Sequence, residues 1–256
     1  MHRCRSVCLI VVICAISVVV HSETKWNQVS SFLLNWNGHS NVRITLEIPD
    51  PWADPGDFTR IRIRVPGQKE FALVNSNGWV KYGSDTATIM PGILKMKNLV
   101  PSNYVLALSA SETNRTLVFL VGYSYASSPG ELDVIELTED GQPRVVLHRD
   151  ELGLVDVRDL NGDGTAEVVT LPCLTQEFGN GLQTYDPLNV YALGKTAGES
   201  AALSLPLSKS YNLKHYFGWA GPKCSENFAV VLHPPKDGKP FVTTTQKAQE
   251  ITGGSK

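Results

Sequence analysis

The sequence predicts a mainly β protein: an antiparallel meander, propeller-like or sandwich, with few short helices. Three observations predict it. Apolar and polar residues alternate over short runs, Pro and Gly separate those runs at a spacing of about ten residues, and no long helical pattern alternates with the strands. The last point argues against a parallel βαβ sheet. The 256 residues are 42% hydrophobic and 19% charged, which suits a chain with a real core rather than a disordered one. A net charge of -2 argues against nucleic acid as a partner.

The first segment stands apart from this pattern. Arg3 and Arg5 precede residues 7–20, which are 14 residues without a charge, and the polar Glu23, Thr24 and Lys25 follow. A membrane-spanning helix needs about 20 apolar residues, so this run has the length of a secretory signal rather than of an anchor. Residues 1–22 are therefore expected to be a signal peptide, cleaved near Ser22, with a secreted or periplasmic product. A lipoprotein signal fits poorly, because Ile13 precedes Cys14 and Val7 precedes Cys8. The mature chain has no second apolar stretch of spanning length. It would carry 21 Lys and Arg against 25 Asp and Glu.

The strands follow in order. Val42, Ile44, Leu46 and Ile48 alternate with polar neighbours, and Ile61, Ile63 and Val65 alternate with Arg60, Arg62 and Arg64. Apolar runs of strand length follow at 71–74, 104–108, 117–125, 132–137, 145–148, 154–157, 168–171, 190–193 and 228–232. Turn residues punctuate them at Pro66–Gly67, Pro129–Gly130, Gly141 with Pro143, and Pro234–Pro235. Residues 50–57 form a loop around Pro51, Pro55 and Gly56. Helix is expected only as a turn or two at 200–207 and 246–251. Residues 23–235 are expected to form a single β-rich domain, and 236–256 a polar C-terminal tail.

Of five cysteines, Cys4, Cys8 and Cys14 leave with the signal. Cys173 and Cys224 remain, an even pair expected to form a disulfide in an oxidising compartment. No C-x-x-C occurs and the histidines are scattered, which argues against a zinc site.

One motif carries chemistry. Residues 159–167 read Asp-Leu-Asn-Gly-Asp-Gly-Thr-Ala-Glu. Alternate positions of a tight loop turn Asp159, Asn161 and Asp163 into one cavity. Thr165 can add its backbone carbonyl and Glu167 its carboxylate, an oxygen-rich shell of the kind calcium takes. An EF-hand needs an acid at position 12 of the loop and a helix on either side; position 12 here is Thr170, and both flanks are strands. A metal-free hairpin is the competing reading, since Asn161-Gly162 and Asp163-Gly164 are good turn dipeptides. The D-x-N-x-D-G-x-x-E pattern resembles the calcium loops of FG-GAP and VCBS-type repeats, found in integrin α-subunit propellers and in secreted bacterial proteins. It departs in ending on Glu167 rather than the commoner Asp, and it is present in a single copy. The resemblance implies a calcium ligand set of Asp159, Asn161, Asp163, Thr165 and Glu167.

Other features are weaker. Gly122-Tyr123-Ser124-Tyr125-Ala126 loosely matches a nucleophile elbow, but a turn rather than a helix follows it. Arg60, Arg62 and Arg64 share one strand face, read as a solvated face paired with acids rather than as an anion stripe. His215-Tyr216-Phe217-Gly218-Trp219 reads as a core corner near Cys224 or as a pocket lining. Glu139–Asp140 and Asp150–Glu151 are carboxylate pairs in turn-like segments. Asn114-Arg115-Thr116 is a glycosylation sequon. Together these readings point to an exported, non-enzymatic binding or structural module with one structural calcium site and a protein or glycan partner. A secreted hydrolase with a supporting calcium site, or a propeller-like protein inhibitor, is the alternative.

Overall fold

The computed structural model describes residues 24–36, 39–51, 56–82, 98–109, 115–124, 128–138, 140, 142–235 and 238–253. The signal segment with its cleavage point, Asn114 of the sequon, Tyr125–Ala126, Glu139, and residues 52–55 of the 50–57 loop lie outside them.

The fold is mainly β, with antiparallel sheets and, among the described residues, two short helices. The largest sheet takes β1 (Lys25–Trp36), β2 (His39–Asp50), β3 (Phe58–Arg64), β4 (Phe71–Val80), β5 (Leu106–Ser109), β6 (Thr116–Gly122), β7 (Leu132–Leu137) and β8 (Pro143–Arg149). Its order is β1-β2-β3-β4-β6-β7-β8, with β5 also paired to β6. A second sheet runs β13-β12-β10-β9, from β9 (Gly153–Arg158), β10 (Glu167–Leu171), β12 (Asn189–Ala192) and β13 (Ala202–Leu203). A third runs β11-β14-β15, from β11 (Leu182–Tyr185), β14 (Ser225–Val231) and β15 (Phe241–Thr244).

The alternation read from the sequence is what stacks these sheets. In β6, Leu117 and Phe119 face one cluster while Val118 and Leu120 face another. One cluster fills the curve of β1 to β7 around Ile44, Leu46, Ile61, Ile63, Phe58 and Trp79. The other lies between β6–β8 and the second sheet, joining Leu132, Val134 and Val146 to Leu154, Val157 and Val168. The far face of the second sheet, with Val155, Val169 and Val190, is covered by Tyr211 and Leu207 of α1 (Leu205–His215). Each side chain in these interiors loses its contact with water, the main favourable contribution to folding.

Four strands escaped the periodicity. β1 is an edge strand whose inward residues are Val29, Phe32, Leu34 and Trp36, irregularly spaced, and two bulges shift its register on β2. β11, β13 and β15 are four residues or fewer, too short to show a period. The helix expected at 200–207 starts later. Ala202 and Leu203 pair with β12 as β13, and Ser204 then caps α1 by accepting the N–H of Leu207.

The segment read as a polar tail contributes to the third sheet. Phe241–Thr244 pairs with β14, and α2 (Thr245–Thr252) follows, capped by Thr244 and closed by Gly253 in the left-handed region. Few apolar residues are needed here: Ala248, fully buried, with Phe241 and Ile251 covers Leu182, Ala229 and Val231.

Cys173 and Cys224 form the expected disulfide, with Cα atoms 6.5 Å apart. It ties the exit of β10 to the entry of β14, and so the second sheet to the third. Among the described residues no helix is long and apolar enough to cross a membrane.

Candidate metal centre

β9 and β10 form an antiparallel hairpin, with Arg158 opposite Glu167 and Val157 opposite Val168. Residues 159–166 are the connection. Gly162 and Gly164 take φ of 77° and 84°, the left-handed region that disfavours a side chain. These turns fold the connection back over its own first residue. The Gly162 N–H donates to Asp159 Oδ1 at 2.7 Å and the Gly164 N–H to Asp159 Oδ2 at 2.9 Å. The Asp163 N–H donates to Asn161 Oδ1, and the Thr165 N–H to Asp163 Oδ1, each at 2.8 Å.

The result brings Asp159, Asp163 and Glu167 together, with a carboxylate oxygen of each lying within 4.8 Å of the others. Asn161 sits among them. Its amide donates to Asp163 Oδ2 and to Glu167 Oε1, both at 3.0 Å, so a partial positive charge bridges two acids. Glu167 is 2% exposed and also accepts the Leu160 N–H at 2.7 Å. Thr165 lies at the exit of the loop.

Electrostatics separate the members. Backbone donors, Gly164 first and then Gly162, hold the Asp159 carboxyl below its usual range. Burial pushes Glu167 up, and the nearby Asp163 and Asp159 push it the same way. The donor set is all oxygen, partly buried and crowded with like charge. That fits a hard divalent cation, which relieves the repulsion and suits flexible oxygen coordination. Beside the loop, Asp163, Thr165 and Glu167 share a cavity of about 230 Å³ with Arg115, Gly194 and Lys195.

The weaker candidates resolve into structural roles. Arg60 and Arg62 both bond Glu47, their neighbour on β2, while Arg62 and Arg64 bond Glu70. Ser124 donates to the Ser128 carbonyl at 3.1 Å. Tyr216 packs on Tyr185 and Phe217, and the Tyr185 hydroxyl donates to the Gly221 carbonyl at 2.7 Å, a corner near Cys224. Asp140 is taken up by Thr138 and Arg144, and Asp150 and Glu151 are exposed.

A second cluster was not picked out from the sequence. Asp133 of β7 pairs across the ladder with His148 of β8, and Glu131 lies two residues before Asp133. His148 Nδ1 is 2.8 Å from Asp133 Oδ1 and 3.7 Å from Glu131 Oε1. The buried Trp79 indole donates to Asp133 Oδ2 at 2.8 Å. Burial, and then the facing Asp133 carboxylate, push the Glu131 carboxyl up to about 7; the Asp133 bond raises His148. The available signal was an acid inside a strand apolar on both faces, since a buried carboxylate must find partners.

No family model, curated protein or solved structure matches the chain.

Proposed function

We propose that the chain is an exported, non-enzymatic binding or structural module whose β9–β10 hairpin is pinned by one calcium ion. The observation that carries this reading is the convergence of Asp159, Asp163 and Glu167 within 4.8 Å, with the Asn161 amide lodged between two of them. Asp159, Asn161, Asp163 and Glu167 would hold the ion through side chains and Thr165 through its carbonyl. The bound charge would neutralise the acids and fix the hairpin that carries Val155, Val157, Val168 and Val169 into two apolar clusters. The likeness of the loop to FG-GAP and VCBS-type repeats supports the same assignment. The Cys173–Cys224 disulfide supports an oxidising compartment, reached by cleavage of residues 1–22 near Ser22. A protein or glycan partner is the occupant such a module would present itself to.

The test is thermal unfolding with calcium and with excess chelator. At free calcium one hundred times its dissociation constant, the gain is about 2.7 kcal/mol, a rise in Tm of about 5–10 °C. Equal melting temperatures in the two conditions would leave the hairpin as a metal-free turn.

A further inference from the structure

The geometry points to a second, separate metal site, for a divalent transition ion such as Zn²⁺, formed by His148 Nδ1, Asp133 Oδ1 and Glu131 Oε1. It goes beyond the calcium loop and does not depend on it.

Placement comes first. The β7–β8 register sets Asp133 opposite His148. The Gly122 N–H donates to the Glu131 carbonyl at 2.6 Å, so Glu131 continues the β6–β7 ladder just before β7. Residues two apart on an extended chain face the same side, which puts Glu131 beside Asp133.

The ligand atoms are already close. His148 Nδ1 lies 2.8 Å from one carboxylate and 3.7 Å from the other, and all three ligand atoms fall within 4.8 Å. Ligand atoms around a tetrahedral Zn²⁺ lie about 3.3 Å apart, given bonds of about 2.0–2.2 Å. Small side-chain movements suffice. The ion would take the place of the proton that His148 and Asp133 share.

Two further observations point to a cation. Glu131 is 9% exposed, its carboxyl faces that of Asp133, and it lies 3.7 Å from His148 Nδ1. It is a buried acid aimed at another buried acid, with Asp150 adding negative charge nearby. Asp133 is also oriented from behind: Trp79 Nε1 holds Oδ2, leaving Oδ1 to face the histidine. Metal-binding carboxylates are commonly fixed in this way.

The donor set selects the ion. One imidazole and two carboxylates suit Zn²⁺ and its neighbours, whereas calcium takes oxygen alone. The His148 side chain is 59% exposed, so the remaining coordination position opens to water.

The experiment is calorimetric titration of Zn²⁺ into the purified protein with calcium saturating. One Zn²⁺ per chain is expected. His148→Ala and Glu131→Gln should each raise the Kd at least tenfold, while Asp163→Ala leaves it unchanged. In the unaltered protein, the ring-proton resonances of His148 should shift with the first equivalent of Zn²⁺, a readout that needs no variant. Absence of binding, or binding that survives either His148→Ala or Glu131→Gln, overturns the site. Zn²⁺ binding lost only in Asp163→Ala would place the ion in the calcium loop and overturn it equally. Failure of the loop to bind calcium leaves these outcomes readable, because none of the three ligands lies in the loop.

Discussion

The loop at 159–167 and the cluster of Glu131, Asp133 and His148 each gather three ionisable side chains within 4.8 Å, by opposite means. The loop does it with consecutive chain, using two left-handed glycines and bonds from its own backbone N–H groups. The cluster does it by strand pairing, joining residues 15 apart and a tryptophan 54 residues away from Asp133. Their surroundings differ as well. Asp159 and Asp163 are exposed, whereas Asp133 is 1% exposed. A carboxylate in water can wait for an ion at small cost. One in the interior must be bonded whether or not an ion arrives.

The largest expected effect tests that distinction directly. In chelator, Asp133→Ala leaves the Trp79 indole N–H buried without its acceptor, and should cost about 3 kcal/mol in urea unfolding. A loss below about 1 kcal/mol would show that the interior carboxylate is not needed by the fold. Next comes ion selectivity at the loop. Calcium should raise Tm by about 5–10 °C, and magnesium at equal concentration by much less, because it requires a smaller and more rigid octahedron. Equal responses to the two ions would mean a loop that attracts charge without shaping a shell.

A pH experiment gives a reference at a residue that belongs to neither cluster. Burial pushes the Tyr216 phenol above its ordinary value, up to about 12. The folded state therefore keeps a proton that the unfolded chain releases. This contribution to stability is complete below pH 10 and is lost as pH rises through about 12. Burial raises Tyr185 and Tyr211 as well, so phenolate absorbance during alkaline titration should show a late fraction that includes Tyr216 and ionises with unfolding. Early ionisation of all tyrosines in the folded protein would contradict it. The smallest effect is Asp163→Ala in chelator, expected within about 0.5 kcal/mol of the unaltered protein. The same substitution should abolish most of the calcium response, and that contrast is the sharpest form of the comparison.

The difference in construction also decides what could be read from the sequence. The gathering of acids in the loop was legible because its oxygen-bearing side chains, its glycines and its flanking strands are contiguous. Strands with a buried face, such as 42–48 and 61–65, were legible for the same local reason. β1 was not: as an edge strand with a bulge it sets Val29, Phe32, Leu34 and Trp36 inward at uneven spacing, among residues that face water. The segment at 241–252 looked like a tail because Phe241, Ala248 and Ile251 are few, though they suffice to cover two strands. His148 and Asp133 carry no mutual signal in the sequence at all. Their meeting depends on the β7–β8 register, which includes an irregularity between Val134 and Ile135. The Arg60–Arg62–Arg64 face was the middle case: its pairing with acids was foreseeable, and Glu47 from the neighbouring strand supplied it.

The Cys173–Cys224 bond has a consequence for how the molecule meets a protease. It closes a span of 51 residues that includes β11, β12, α1 and the exposed turn at Gly179 and Asn180. A protease that cuts once within this span leaves two pieces joined covalently, each still paired into its sheets. Such a nick would be invisible by size until a reductant separated the fragments, so the molecule can be cleaved and stay whole.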